Sequence, residues 1–209
     1  KSFGFGQKLG IDIPGELPGS IPGSATYDRI YGKNAWRSLT VISLAIGQGE
    51  IGATPLQLAN LAAVMANRGH YYTPHLVREI PEDPQFSPAV ERHQVMVDST
   101  YFPVIVEGMY QAVHAPAGSG ATARLAAITG VEMCGKTGTA QNPHGEDHSV
   151  FICFAPRENP KIAVAVYIEQ GGFGASQAAP VASLLVEKYL TGEIHPSRQW
   201  LYERTLEQD

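Results

Sequence analysis

Gly135-Lys136-Thr137-Gly138-Thr139-Ala140-Gln141 stands a few residues before an apolar run, Ser149-Val150-Phe151-Ile152-Cys153-Phe154-Ala155. A second apolar run, Ile162 to Ile168, follows, with Asn159-Pro160 in the reversal between the two. Short runs of this kind separated by turn residues read as the strands of a hairpin. Val131 to Cys134 reads as a further strand running into a turn at the lysine. Beyond Gly171-Gly172-Phe173-Gly174 the pattern becomes helical from Ala178 to Tyr189, with Val181, Leu184, Leu185 and Tyr189 expected inward. Strands closed by a C-terminal helix predict an α+β fold, an antiparallel sheet flanked by helices.

Upstream of the strands two helices are expected. Thr54-Pro55 is a start signal, Thr as N-cap and Pro at the first helical position, with Leu58, Leu61, Ala62, Met65 and Ala66 on one face and Asn67-Arg68-Gly69 as the stop. The second runs from near Thr100 to His114 on a stripe of Phe102, Ile105, Val106, Met109 and Val113. Tyr72 to Ile80 reads as a short extended piece, and Ala123 to Ile128 as one or two helical turns. Residues 1–35 are different. Pro14-Gly15, Pro18-Gly19 and Pro22-Gly23 specify an extended, turning segment with no single regular element. Such a loop seldom opens a domain, so the expectation is of a piece whose preceding helices lie elsewhere.

Composition narrows the class. The 209 residues are 44% hydrophobic and 17% charged, enough for a sizeable core. A net charge of -5 gives no basic field, which excludes nucleic acid as an expected partner. No apolar run approaches the ~18 residues that span a bilayer. The cysteines, Cys134 and Cys153, each lie in an apolar run and form no metal-ligand pattern, so both read as small buried side chains.

Chemistry concentrates at the lysine. Lys136 between glycines and threonines can present a fixed positive charge to a carboxylate or acidify a nearby hydroxyl. Gly138 has no Cβ, so another backbone can approach the strand edge and add to it as a strand. Thr137 and Thr139 add hydroxyls, and the Thr139 N–H can face a developing oxyanion. As a bare tripeptide, Lys-Thr-Gly is also compatible with an ordinary surface turn.

Four blocks turn this into a resemblance. They are Phe3 to Glu16, then Ile46-Gly47-Gln48-Gly49 with Thr54-Pro55-Leu56-Gln57-Leu58-Ala59, then Gly135 to Gln141, and Phe154-Ala155-Pro156 with Asn159-Pro160. Their order and spacing resemble the transpeptidase domain of class B penicillin-binding proteins, specifically the elongation type, over residues 1 to about 190. The resemblance implies a partial penicillin-binding-protein transpeptidase or serine β-lactamase-like fold, residues 1–190 being the C-terminal portion of the domain and 191–209 a tail. It also implies acyl transfer on peptidoglycan stem peptides during cell elongation, a serine attacking the bond between two terminal D-alanines, with β-lactams as inhibitors. Lys136, Thr137 and Gly138 would be the third motif. Lys136 with the Thr137 and Thr139 hydroxyls would anchor a carboxylate, the Thr139 N–H would be half of the oxyanion hole, and Gln141 would belong to the substrate-binding set.

The family's other motifs are missing from this sequence. No serine has a lysine three residues later, and no Ser-x-Asn occurs. The isolated chain is therefore expected to be inactive, with the remaining part of the domain as its first partner. A RodA-type glycan polymerase is the second, and the parent is expected at the periplasmic face of a bacterial inner membrane. No cofactor or metal is implied. Alternatives are a D,D-carboxypeptidase, a division-type transpeptidase, or a module that binds penicillin without turnover.

Four further sets of residues carry weaker readings. His144, Glu146, Asp147 and His148 contain zinc-binding residue types but read more simply as a polar loop beside the cleft. Ser149 has no partner set and reads as a strand-edge serine. Gly171 to Gly174 lacks the frame of a phosphate loop and reads as the lead into the last helix. Asp28, Arg29, Tyr31 and Trp36 are candidates for contact with a partner or with the rest of the domain.

Overall fold

A computed structural model of the chain describes residues 1–88 and 90–207; the last two residues of the expected tail, Gln208 and Asp209, lie outside them. In chain order the elements are α1 (Ser24–Tyr31), α2 (Ser38–Val41), α3 (Pro55–Ala66), β1 (His70–Tyr72), β2 (Arg92–Gln94), α4 (Phe102–His114), β3 (Cys134–Ala140), β4 (His148–Ala155), β5 (Ile162–Ile168), α5 (Ala178–Thr191) and α6 (Gln199–Leu206). Strands β3, β4 and β5 form an antiparallel sheet in that order, with Lys136 opposite Ile152 and Ile152 opposite Ala165. The α+β class and the strands expected at residues 150–155 and 162–168 are as the sequence predicts, whereas the strand expected at residues 131–134 begins only at Cys134 and runs to Ala140.

Alternation along the strands divides the core. Phe151 and Cys153 pack with Ala178, Ala179, Ala182 and Val186 of α5. On the opposite face Cys134 and Phe154 pack with Ala66 of α3 and with Val106 and Met109 of α4. The alanines of α5 let helix and sheet approach closely. Gly135 is needed for the same reason, since a Cβ there would fall on the Phe151 ring. Both cysteines are free and buried, and burial pushes each thiol up to about 12, which leaves them unreactive.

Several expectations are corrected. The Lys-Thr-Gly residues lie inside β3 rather than in a turn after it, because pairing with β4 continues as far as Ala140 opposite His148. Of Tyr72 to Ile80 only Tyr72 is in a strand, paired through β1 with the unforeseen β2. The stripe on α4 holds except at Ile105, which is exposed. On α5 the inward face is Ala178, Ala179, Ala182, Leu184 and Val186, while Leu185 and Tyr189 face outward because small residues suit the close sheet contact. The Ala123–Ile128 stretch supplies one 3-10 turn, Arg124–Ala126. Residues 1–35 are loop-rich as expected but contain α1.

Polar side chains hold the first loop. Thr54 caps α3 by accepting from the Gln57 N–H at 3.2 Å, and Gln57 Oε1 accepts from the Thr54 N–H at 3.1 Å, a reciprocal capping box. The Gln57 amide nitrogen lies 3.1, 3.0 and 2.8 Å from the carbonyl oxygens of Gly4, Gln7 and Pro18. Asn60 donates to the Phe3 carbonyl at 3.1 Å. The Glu16 carboxylate accepts from the N–H groups of Leu9 and Gly10 at 2.6 and 3.0 Å. Gln57 and Asn60 are therefore buried on α3, and Leu58 and Leu61 are only partly so. At the other end Leu201 of α6 is buried, and Arg198 donates to Glu187 Oε2 and to Ser183 Oγ, both at 2.6 Å, tying α6 to α5. Trp200 and Leu206 stay exposed.

Candidate active site

Among the described residues strand β3 has β4 on one side only, so its other edge is unpaired within the sheet. Along an antiparallel strand the N–H and C=O of one residue point to the same side, and successive residues alternate. The Thr139 carbonyl accepts from the Gln48 side-chain amide at 3.0 Å, on the side away from β4. The N–H groups and carbonyls of Thr137 and Thr139 consequently face the free edge. Those of Lys136 and Gly138 face β4.

The side chains converge on the same edge from opposite faces of the sheet. Lys136 rises from the face that carries α3 and α4, and its exposed ammonium curls to the edge to donate to the Thr137 carbonyl at 2.7 Å. Thr137 leans to the other face and donates from Oγ1 to Thr122 Oγ1 at 3.0 Å. Lysine charge, threonine hydroxyls and outward peptide groups thus meet along one short stretch. Gly138 leaves its face of the strand open. A Cβ at 138 would meet Val150 Cβ at 3.4 Å, an ordinary contact, so packing does not demand glycine here. Beside Gly135, packing also demands glycine at Gly174. It lies over the Gly138–Val150 pair, and a Cβ there would overlap both of their carbonyl oxygens.

Open space surrounds the edge. A cavity of about 370 Å³ beside Lys136 is lined by Gly108, Gln111, Ser119 and Thr122. A second, of about 440 Å³, lies against the same lysine and is almost wholly apolar, with Leu61, Met65, Val104, Ile105 and Ile152 in its wall. Beyond Thr139 a cleft of about 640 Å³ is lined by Ser43, Gln48, Gln141, Asn142, Pro143 and Asp147. Gln141 is exposed there, and its N–H donates to Gln48 Oε1 at 3.4 Å.

Two contributors had not been singled out as site residues, Gln48 and Thr122. Gln48 stands between two glycines that both take positive φ, 73° at Gly47 and 72° at Gly49, which marks a tight turn but not its partner. Its turn is anchored by Glu50, whose carboxylate accepts from Tyr27 at 2.8 Å and Tyr31 at 3.0 Å. Burial and that hydrogen bond push the Tyr27 phenol up to about 12, while Glu50 is held below the usual carboxylate range. Trp36 donates to Asp28 at 2.8 Å in the same cluster, so these residues brace the cleft from within the chain.

The polar loop after β3 is internally bonded. Asp147 accepts from the Asn142 N–H at 3.2 Å, Asn142 from the His144 N–H at 3.0 Å, and His148 Nδ1 from the Gln170 N–H at 3.1 Å. Among the described residues no three His, Cys, Asp or Glu side chains converge. Ser149 is fully buried on the central strand, not at an edge, and accepts from the Ala178 N–H at 3.0 Å. It caps the start of α5.

Residues 1–187 match the family described as the penicillin binding protein transpeptidase domain. The chain is 35% identical over 212 residues to the peptidoglycan D,D-transpeptidase MrdA of Haemophilus influenzae, an alignment covering 91% of this chain and 32% of that protein. Among solved structures, Pseudomonas aeruginosa PBP2 in complex with WCK 5153 superposes with a TM-score of 0.75 at 36% identity, covering 94% of this chain and 43% of that one. The Helicobacter pylori complex of PBP2 with MreC gives 0.73 at 26% identity, covering 91% of this chain and 34% of that one. The chain thus spans about a third of the length of the curated relative it matches.

Proposed function

The chain belongs to the penicillin-binding protein transpeptidase family, and from that premise we propose that it is the lysine-bearing portion of a serine D,D-transpeptidase that cross-links peptidoglycan stem peptides during elongation. The observation that carries the reading is the free edge of β3, where the Lys136 ammonium and the outward peptide groups of Thr137 and Thr139 lie together. An extended peptide adds to such an edge by main-chain hydrogen bonds. Lys136, with the Thr137 and Thr139 hydroxyls, holds its terminal carboxylate. The Thr139 N–H stabilises the oxyanion formed when a serine attacks the D-alanyl carbonyl. Gly138 keeps the lysine-bearing face of the strand clear, and Gln141 lines the far end of the cleft.

The nucleophile and its activating lysine belong to the part of the domain outside residues 1–190, with 191–209 as the tail. Exposed apolar side chains support that division. Leu39, Ile42 and Ile46 before the Gln48 turn, and Val104 and Ile105 on α4, are uncovered beside the cleft. They are the surface on which the rest of the domain packs. A RodA-type glycan polymerase as partner and a place at the periplasmic face of the inner membrane follow from the same family reading. Among the described residues no helix is long and apolar enough to cross a membrane.

Fluorescent penicillin and the full-length protein supply the test. Labelling of a serine outside this chain is expected, and Lys136→Ala slows it at least ~10-fold, about 1.4 kcal/mol in the transition state. Thr139→Val does less, because the backbone N–H survives the change. An acylation rate unaffected by Lys136→Ala overturns the role of the lysine.

A further inference from the structure

Beyond Thr139 the free edge of β3 is not empty. The Gln48 side chain donates to the Thr139 carbonyl at 3.0 Å and accepts from the Gln141 N–H at 3.4 Å. One carboxamide therefore supplies the donor and the acceptor that a neighbouring strand would present to residues two apart. It arrives from 91 residues upstream, so it is no product of local turn geometry.

The turn that delivers it is stiff. Gly47 and Gly49 both adopt positive φ, and a Cβ on Gly49 would stand 2.6 Å from Ser43 Oγ. Glu50 is fastened to α1 by two tyrosine hydroxyls, and Tyr27 is buried and stacked on Tyr31 with ring centroids 6.0 Å apart. Gln48 itself is half-buried against the wall of the cleft.

We propose that Gln48 is a positioning residue that fixes the end of β3 so that the Thr139 N–H is already aimed when substrate arrives. This rests on the reading of Thr139 as an oxyanion donor. The carbonyl Gln48 holds and that N–H are joined through the Thr139 Cα, and the Gln141 contact stops the strand from rotating one peptide further on. Pairing with β4 runs through Ala140, but the outer edge at Thr139 and Gln141 has no strand against it, and the Gln48 bonds steady that edge at the position where a donor must meet a developing charge. Misplacement of a catalytic group by about 1 Å costs up to about a hundredfold in rate. Gln48 acts through the Thr139 and Gln141 peptide groups that it holds, so its effect is expected in the chemical step rather than in the initial binding of substrate.

The test uses the full-length protein with Gln48→Met, which keeps length and packing but removes both hydrogen bonds, and Gln48→Glu, which keeps the acceptor for Gln141 and loses the donor to Thr139. Acylation by a chromogenic β-lactam is resolved into the pre-acylation dissociation constant and the acylation rate constant. Expected is a fall of about tenfold or more in the rate constant for both variants, a dissociation constant within about threefold of the parent, and an unchanged melting temperature. A wild-type rate constant in Gln48→Met, a loss confined to the dissociation constant, or a loss that tracks a lowered melting temperature each overturns the proposal. Failure of the underlying reading looks different: the unmodified protein is then not acylated, or Lys136→Ala leaves its acylation unaltered.

Discussion

Replacing Gln57 by leucine probes how a loop with almost no regular structure is held in one conformation. The side chain is 1% exposed. Leucine fills nearly the same space but removes the amide that lies 2.8–3.1 Å from three carbonyl oxygens, together with the acceptor for the Thr54 N–H. The contact to Gly4 is wholly buried, whereas those to Gln7 and Pro18 are partly open, so water compensates some of their loss. A buried polar group left without a partner costs about 1–3 kcal/mol. One full penalty plus fractions of the others gives a loss of about 2–5 kcal/mol. At about 2–4 °C per kcal/mol for a domain of this size, the melting temperature of the transpeptidase domain falls on the order of 10 °C. Thermal unfolding of the full-length protein measures that. Trypsin cleavage after the exposed Lys8 supplies a local readout that quickens in the variant. A melting temperature within about 2 °C of the parent, with cleavage after Lys8 no faster, would refute the view that this one amide holds the loop.

Three other outcomes are expected. Gly174→Ala forces a methyl group against the carbonyl oxygens of Gly138 and Val150, and overpacking of this kind costs about 1–3 kcal/mol; β-lactam acylation of the full-length variant slows with it, while Gly138→Ala leaves stability within about 0.5 kcal/mol. Arg198→Met strands the buried Glu187 carboxylate and costs about 3–5 kcal/mol in denaturant unfolding, and adding Glu187→Met recovers most of it. Burial holds His114 and His70 below the ordinary histidine value of 6.5, so both favour the neutral form when folded. Their stabilisation is complete above about pH 6.5 and is lost as pH falls through the lowered folded values; melting temperatures decline over that window, and His114→Gln flattens the decline.

The part of the fold that was legible in the sequence is the part governed by local rules. Thr54-Pro55 announced α3 because capping depends on residues within one turn, and Ile162–Ile168 was readable as a strand because a short apolar run is bounded by turn residues. What escaped was set by distant partners. Gln57 and Asn60 look like the polar side of α3 until a loop fifty residues away lies on them. Leu185 and Tyr189 look like core until the alanines of α5 take the sheet contact. Lys-Thr-Gly could be located but not oriented, since its place within β3 depends on pairing with β4 through Ala140. Gln48 stood in a quoted block, yet nothing local to it indicates a strand edge 91 residues downstream.

Under the proposed function the free edge of β3 is a recognition wall made of peptide groups, and that has a consequence for escape from inhibitors. Every residue except proline carries the same N–H and C=O, so exchanging the side chain at 137 or 139 cannot delete the groups an edge-binding inhibitor grips. A bacterium under such selection is driven to tilt the strand rather than to edit its contacts. The positions with leverage over that tilt are Gly135 under the Phe151 ring, Gly174 over the Gly138–Val150 pair, and Gln48 at the strand's end. Tolerance arising at this wall is therefore expected to surface in genomes as changes at residues the drug never touches.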